Sequence, residues 1–328
     1  MIEHLKPIQK KTAPGGSPDF FQYHGLGNVY LVIEPGRFVQ ELTEAAVRDI
    51  CHPHLGVGAD GVLVGPAQVG PAQPAGGAAV DDPGAASSGG GEGHAVRIFN
   101  SDGSEAEKSG NGLRIFARFL WEHGYASESP FSILTAGGVV RARMSDPDGG
   151  IALEMGPVRF DSPSIPMTGP AREVLQEALT VEGREFTISA ANVGNPHCVV
   201  EVEGHPESDG GIARMAREFG PLIEHHPSFP NRTNVQFLTV IDSHRIRIEI
   251  WERGSGYTLS SGTSSCAASA VACRLGRCVS PITVEMPGGN LTVRLDADFN
   301  AELEGPVVSV AAGRFADEFL AHLGLTRR

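Results

Sequence analysis

The apolar positions of this chain recur mostly with the two-residue period of strands, in short runs broken by Gly, Pro, Asn and Asp. These runs predict strands at Tyr30–Glu34, Gly61–Gly65, Ala95–Asn100, Phe131–Thr135, Val139–Met144 and Ile151–Glu154. They predict more at Cys198–Val202, Val235–Val240, Arg245–Trp251, Ile282–Glu285 and Leu291–Leu295. The turn residues between them favour antiparallel sheets. The 3.6-residue period is rarer and predicts short helices over Thr43–Cys51, Ala171–Ala178, Ile212–Glu218 and Ala316–Leu323. Two further helices stand out. One runs from about Asn111 to His123, with Leu113, Phe116, Phe119 and Leu120 on one face and Gly124 as its cap. The other runs from about Thr263 to Leu275 and is Ala, Cys, Ser and Val nearly all round, which suits a helix buried inside a sheet.

Between Pro66 and His94 the pattern vanishes. The stretch is mostly Gly, Ala, Pro, Ser and Gln. It cannot bury enough apolar surface to offset its ordering entropy, so residues 66–94 read as a disordered insert between two strands. Residues 1–18 carry Lys6, Lys10 and Lys11 but no apolar signal segment, and read as a flexible lead-in. The rest of the 328 residues suits two domains, 19–155 and 156–305. A segment over 306–328 is expected to return to the first.

Composition narrows the partners. A hydrophobic fraction of 41% supplies a core, and no run approaches the roughly 20 apolar residues that cross a bilayer. The expected location is the cytoplasm, with no membrane partner. A net charge of -13 disfavours a nucleic-acid partner. The five cysteines, Cys51, Cys198, Cys266, Cys273 and Cys278, form no C-x-x-C pair, so they read as free thiols and no metal is expected.

The two prominent helices begin alike. Ser109-Gly110-Asn111-Gly112 opens one and Ser261-Gly262-Thr263-Ser264 the other. Asn100 lies nine residues before Ser109, and Glu252 nine before Ser261. Upstream, Gly27-Asn28 and Gly194-Asn195 each precede an apolar strand. Three matches in one order argue for a two-fold repeat and two similar domains facing each other.

A helix N-terminus offers unpaired N–H groups and the positive end of a dipole, so it is an anion site. Gly110 and Gly262 allow close backbone approach. Two such turns can hold one carboxylate between them. Asn residues supply orienting donors and acceptors, Arg253 can fork onto a carboxylate, and Glu252 can pair with an ammonium group. The result is a pocket for an amino acid, with one reactive group on each face. A serine before a helix is also a common N-cap, and His197 reads equally as a structural histidine or a base.

Longer motifs resemble those of the diaminopimelate epimerases. They are Tyr23-His24-Gly25-Leu26-Gly27-Asn28, Gly56-Val57-Gly58-Ala59-Asp60-Gly61, Arg97-Ile98-Phe99-Asn100-Ser101-Asp102-Gly103-Ser104 and Gly110-Asn111-Gly112. Gly194-Asn195-Pro196-His197-Cys198, Asn234 within Arg232-Thr233-Asn234-Val235, and Glu252-Arg253-Gly254-Ser255-Gly256 continue the series in family order. The resemblance implies an α/β (α+β) fold of two pseudo-symmetric domains, each a mainly antiparallel sheet wrapped around a central helix. It implies a homodimer that uses no cofactor. The implied activity interconverts LL- and meso-diaminopimelate in lysine and cell-wall biosynthesis. By the same resemblance, Asn28, Asn100, Asn195, Asn234, Glu252 and Arg253 bind substrate, and the Gly110-Asn111 and Gly262-Thr263 turns take its reacting carboxylate.

The chain departs from that pattern where the chemistry is done. The family's two turns begin with cysteine, one thiolate removing the α-proton and the opposite thiol returning one. Here both positions are serine, Ser109 and Ser261. His197 and Glu252 match the family's partners of the first and second thiol, and Cys266 matches a second, structural cysteine. Val29 and Tyr257 stand where the family is more usually acidic, and Ser260 replaces a usual alanine. The expected catalytic set is therefore Ser109 with His197 and Ser261 with Glu252. The alternatives are an amino-acid-binding relative without turnover, or a racemase or dehydratase for another substrate.

Overall fold

The computed structural model describes residues 6–7, 17–68, 93–145, 150–202 and 211–328. Most of the expected lead-in and of the expected insert (residues 1–5, 8–16 and 69–92) lies outside the described residues.

The first half supplies strands β1 (Lys6–Pro7), β2 (Phe20–Gly25), β3 (Asn28–Ile33), β4 (Gly61–Gln68), β5 (Gly93–Asn100), β6 (Glu105–Ala106), β7 (Phe131–Thr135), β8 (Gly138–Met144) and β9 (Gly150–Pro157). The second supplies β10 (Glu177–Val181), β11 (Arg184–Asn192), β12 (Pro196–Glu201), β13 (Asn234–Asp242), β14 (Arg245–Glu252), β15 (Gly256–Thr258), β16 (Ile282–Met286), β17 (Gly289–Leu295), β18 (Asn300–Pro306) and β19 (Val308–Gly313). The helices are α1 (Glu44–Cys51), α2 (Gly110–Glu122), α3 (Gly211–Glu224), α4 (Gly262–Arg274) and α5 (Asp317–Leu323). Strands dominate this mixed α/β fold.

The pairing repeats. From β2 to β9, neighbours pair antiparallel except β3–β4 and β5–β7, which are parallel. From β11 to β18 the same order recurs, with β12–β13 and β14–β16 parallel. Parallel neighbours need a crossover, and a helix fills each one: α1 and α3 in the first crossover, α2 and α4 in the second. The halves join where their last strands meet, β9 antiparallel to β18, with Leu153 opposite Leu303.

Each central helix is enclosed by its sheet. α2 packs against β2, β3, β4, β8 and β9, and α4 against β11 to β14 and β16 to β18. The buried faces of α2 (Leu113, Ile115, Phe116, Phe119, Leu120) and α4 (Cys266, Ala267, Ala270, Val271) belong to one continuous core. Burying each large side chain there stabilises the fold by roughly 1.5–3 kcal/mol.

Several elements differ from expectation. Ala171–Ala178 is not helical. Val174 donates to the Phe160 carbonyl at 3.0 Å and accepts from Ala190 at 2.9 Å, so it runs extended between two segments. Gln176 takes a left-handed φ of 51°, and β10 begins at Glu177. Tertiary pairing here overrides helix propensity. The edges of the expected insert are ordered as strand, since β4 runs on to Gln68 and β5 begins at Gly93. α3 passes Glu218 and reaches Glu224 with Pro221 inside it.

The last residues complete the first half. β19 pairs with β2, and α5 packs with α1 over Phe20, Phe38 and Phe315. Asp19 pins this arrangement. Its fully buried side chain meets Arg37 at 2.7 Å and Arg327 at 2.8 Å and accepts the Phe315 N–H at 2.9 Å. Burial alone would raise its pKa, but these donors prevail and hold it below the usual carboxylate range. A depressed folded pKa means stability that is present above the unfolded value of about 3.9 and lost as pH falls through the folded one. Asp19→Asn is therefore expected to cost about 3 kcal/mol in urea unfolding at neutral pH. The gap to the parent protein should close below roughly pH 4, and an undiminished gap in acid would contradict this account.

Candidate functional site

The two central helices aim their N-termini at each other. A Cβ placed on Gly110 would lie 3.5 Å from the Gly262 Cα, in ordinary contact, so the two backbones come within about one methyl group of each other. A Cβ on Gly262 would meet Leu303 Cδ2 at 2.6 Å, so a side chain there would have to displace Leu303. Gly110, Asn111, Gly112, Gly262 and Ser264 are buried in these first turns, and Thr263 is half-buried.

Both serines are N-caps with extended backbone. Ser109 Oγ accepts the Gly112 N–H at 3.1 Å, which satisfies one orphan donor of α2. Tyr30 Oη stands 3.2 Å from the same Oγ. Ser261 makes no capping bond, and its side chain lies close enough to Glu252 to act on that carboxyl's pKa. Burial raises the Glu252 pKa, the Ser261 hydroxyl pulls it the other way, and the charge of Asp60 raises it further. Glu252 is thus a stronger base than a solvated carboxylate when ionised.

His197 is fully buried on β12, with Nε2 2.8 Å from Asn195 Oδ1. An amide oxygen only accepts, so Nε2 carries the proton. Burial drops the His197 pKa to about 3, with the nearby Gln236 amide opposing the drop and the charge of Arg253 adding to it. The ring is neutral at any working pH. Its neighbours are Asn195 and Gln236, and Gln236 in turn donates to Ser264 of α4 at 3.0 Å. The side chain that reaches Ser109 is Tyr30.

The asparagines tie the halves together. Asn111 Nδ2 donates to Asn28 Oδ1 at 3.1 Å and to the Ser260 carbonyl at 3.3 Å. Asn28 Nδ2 and the Val29 N–H donate to Asp60 at 3.0 and 2.7 Å. Ser260 Oγ donates to the Leu26 carbonyl at 3.2 Å, so the hydroxyl clasps the opposite half. Asn234 donates to the Pro196 carbonyl at 2.9 Å and accepts the Arg253 N–H at 3.0 Å. Asn100 donates to Ser104 at 3.0 Å at the end of β5. Arg253 is exposed, with Nη1 on the Asn231 carbonyl at 3.3 Å. Tyr257 turns toward α3 instead: its hydroxyl donates to Glu249 at 2.6 Å and Arg217 lies 3.5 Å over its ring.

The sequence reading missed four contributors. Tyr30 stands two residues after Asn28, as His197 stands two after Asn195, and that shared offset was the signal. Asp60 lies in a quoted motif but had no assigned task. Glu224 accepts from the Trp251 indole at 2.8 Å and the Gly254 N–H at 3.0 Å, and so holds the loop of Glu252 and Arg253. Arg114 is the fourth. It is 0% exposed, donates to Asn111 Oδ1 at 2.7 Å and reaches the Gly110 carbonyl at 3.4 Å. Among the described residues no carboxylate lies within ion-pair distance of it, and burial lowers its pKa to about 10. It remains a cation, placed behind two helix N-termini.

Cys266 cannot stand in for a missing thiol. It is fully buried in α4, and burial pushes its pKa up to about 12.

Comparison with known proteins matches residues 20–160 and 189–310 to the diaminopimelate epimerase family model. The chain is 46% identical over 302 residues to diaminopimelate epimerase 2 of Nostoc sp., covering 92% of this chain and 97% of that one. It is 33% identical over 312 residues to the diaminopimelate epimerase of Desulfitobacterium hafniense, covering 92% and 100%. Among solved structures, it shares its fold with a probable proline racemase from Agrobacterium radiobacter K84, with a TM-score of 0.60 at 17% identity, covering 91% and 92%. A hydroxyproline epimerase from Agrobacterium vitis gives the same TM-score at 18% identity, covering 89% and 90%. With two facing helix starts, a repeated sheet and these relatives, the chain belongs to the diaminopimelate epimerase family, a family of isomerases.

Proposed function

We propose that this protein interconverts LL- and meso-diaminopimelate without a cofactor, by proton transfer on opposite faces of the α-carbon. The observation that carries the reading is the approach of Gly110 and Gly262 to within about one methyl group of each other, with an N-cap serine beside each. A carboxylate there accepts N–H groups from both helices while Arg114 adds charge behind them. Its α-carbon then lies between Ser109 and Ser261. Asn28, Asn100, Asn195, Asn234 and Arg253 orient the remainder, and neutral His197 fixes Asn195 through its single N–H. The family relationship supports a cytoplasmic homodimer in lysine and peptidoglycan biosynthesis.

Serine sets the rate. A thiol ionises near pH 8.5, and a helix N-terminus lowers that further. A hydroxyl needs an adjacent base to remove its proton. Glu252 supplies one for Ser261. The reaction is therefore slow but stereochemically complete.

Incubation of LL-diaminopimelate with the protein in deuterated water is expected to place deuterium at the α-carbon. Calorimetric binding without any deuterium uptake would leave an amino-acid-binding protein in its place. Replacing both serines by cysteine is expected to raise epimerisation by about 100-fold or more. A double variant no faster than its parent would show that the hydroxyls were not the barrier.

The pH profile follows from Glu252. Its carboxyl must lose a proton to act as base, so the rate in the direction that uses it rises with pH. The raised pKa moves that limb above the ordinary carboxylate range. His197 adds no inflection near neutrality, because its pKa is already depressed to about 3. An inflection near pH 6.5 that vanishes in His197→Gln would contradict this assignment.

A further inference from the structure

The two halves place different side chains at equivalent positions. Across β3, β4 and β5, Tyr30 pairs with Gly61 and Gly61 with Asn100. Across β12 and β13, His197 pairs with Asn234, and Glu252 is next in that row because its neighbour Trp251 pairs with Val235. Tyr30 is thus the counterpart of His197. The two do not behave alike. His197 turns to Asn195, whereas Tyr30 carries its hydroxyl to Ser109.

That reach is built in. The Tyr30 ring is 5% exposed, packed in the core below α2. A Cβ on Gly61 would come within 2.5 Å of Tyr30 Cε1 and 2.3 Å of the Phe99 carbonyl. Gly61 therefore leaves the space that the ring fills. Ser109 Oγ sits between two neighbours, the Gly112 N–H at 3.1 Å and Tyr30 Oη at 3.2 Å.

The geometry points to Tyr30 as the residue that supplies and recovers the Ser109 proton, a positioning residue that reaches substrate only through that hydroxyl. This rests on the two-face reading proposed above. Each serine then has its own ionisable partner, Tyr30 for Ser109 and Glu252 for Ser261. In one direction, Ser261 takes the α-proton and passes its own to the Glu252 carboxylate. The electron pair left on the α-carbon takes the Ser109 proton, and the Tyr30 proton replaces it. One C–H bond breaks and another forms on the opposite face, while negative charge moves from Glu252 to the Tyr30 phenolate. The reverse reaction starts from that phenolate, and exchange with solvent resets the pair.

The surroundings fit a phenol that rests protonated. Burial raises the Tyr30 pKa to about 12, against the Ser109 bond, and the charges of Glu252 and Asp60 raise it further. A phenol remains a better proton donor than an aliphatic hydroxyl, so passing charge on to Tyr30 costs less than leaving an alkoxide at Ser109.

The test is Tyr30→Phe with each substrate isomer in deuterated water. The parent protein is expected to exchange and invert both isomers. In the variant, the isomer whose α-proton faces Ser261 still exchanges, but with retention. The other isomer loses exchange by about 100-fold or more. Equal slowing of both isomers, or none, overturns the inference, because a packing defect would not distinguish the faces. A second measurement does not depend on turnover. The chain has four tyrosines, so carbon-13 at Cζ gives four resonances, and Tyr30→Phe identifies the one of interest. Ser109→Ala is expected to move that resonance, and Ser261→Ala to leave it in place. A resonance that Ser109→Ala does not move overturns the inference whatever the parent protein does. Failure of the parent to exchange either isomer overturns the epimerase reading, a separate result.

Discussion

Two positive helix ends and one buried guanidinium converge on the same small volume. Like partial charges repel, by about 1 kcal/mol for two half-charges ~4 Å apart at an effective dielectric of about 20. Arg114 adds a whole charge with no carboxylate among the described residues to balance it. Only the surrounding sheets hold these groups together. The β9–β18 joint, the Leu303 contact at Gly262 and the Asn111 bonds to Asn28 and Ser260 all serve that end. An anion bound between the helices relieves the repulsion, so the fold itself favours a carboxylate.

Repetition built this site, and departures from repetition gave it a direction. The same order of strands and crossovers appears twice, and so does a helix capped by serine. Yet Asn100 and Glu252 occupy matching positions with different chemistry, and so do Tyr30 and His197. An exact repeat would present the same group to both faces of a ligand. The divergence at these few positions gives each face its own acid or base.

The sequence disclosed most of this architecture, because strand period, turn residues and the offsets between Asn28, Ser109, Asn195 and Ser261 are local signals. It disclosed the facing helices only through the duplication. The segment 171–178 was misread because Val174 is held by partners at Phe160 and Ala190, and no local pattern reports such pairing. Strand β19 was missed for the same reason: five of its six residues are exposed, so no apolar alternation marks it. Of the site, the glycines and asparagines were legible as turn and helix-start chemistry. Tyr30 and Arg114 were not, since an aromatic in a strand and a residue inside an apolar helix read as ordinary core until their neighbours are known.

The clamp around Asp19 has a consequence for how the chain comes to be folded. Its partners Phe315 and Arg327 lie 296 and 308 residues downstream. During synthesis the second half has its own strands and helix in hand before the first half acquires its last strand. The first half must therefore wait, with one edge of β2 uncovered and Asp19 held by Arg37 alone, until β19 and Arg327 have been made. A ribosome that stalls before Val308 leaves an otherwise finished protein with an open sheet edge at β2 and a carboxylate that has lost one of its two cations and its backbone donor.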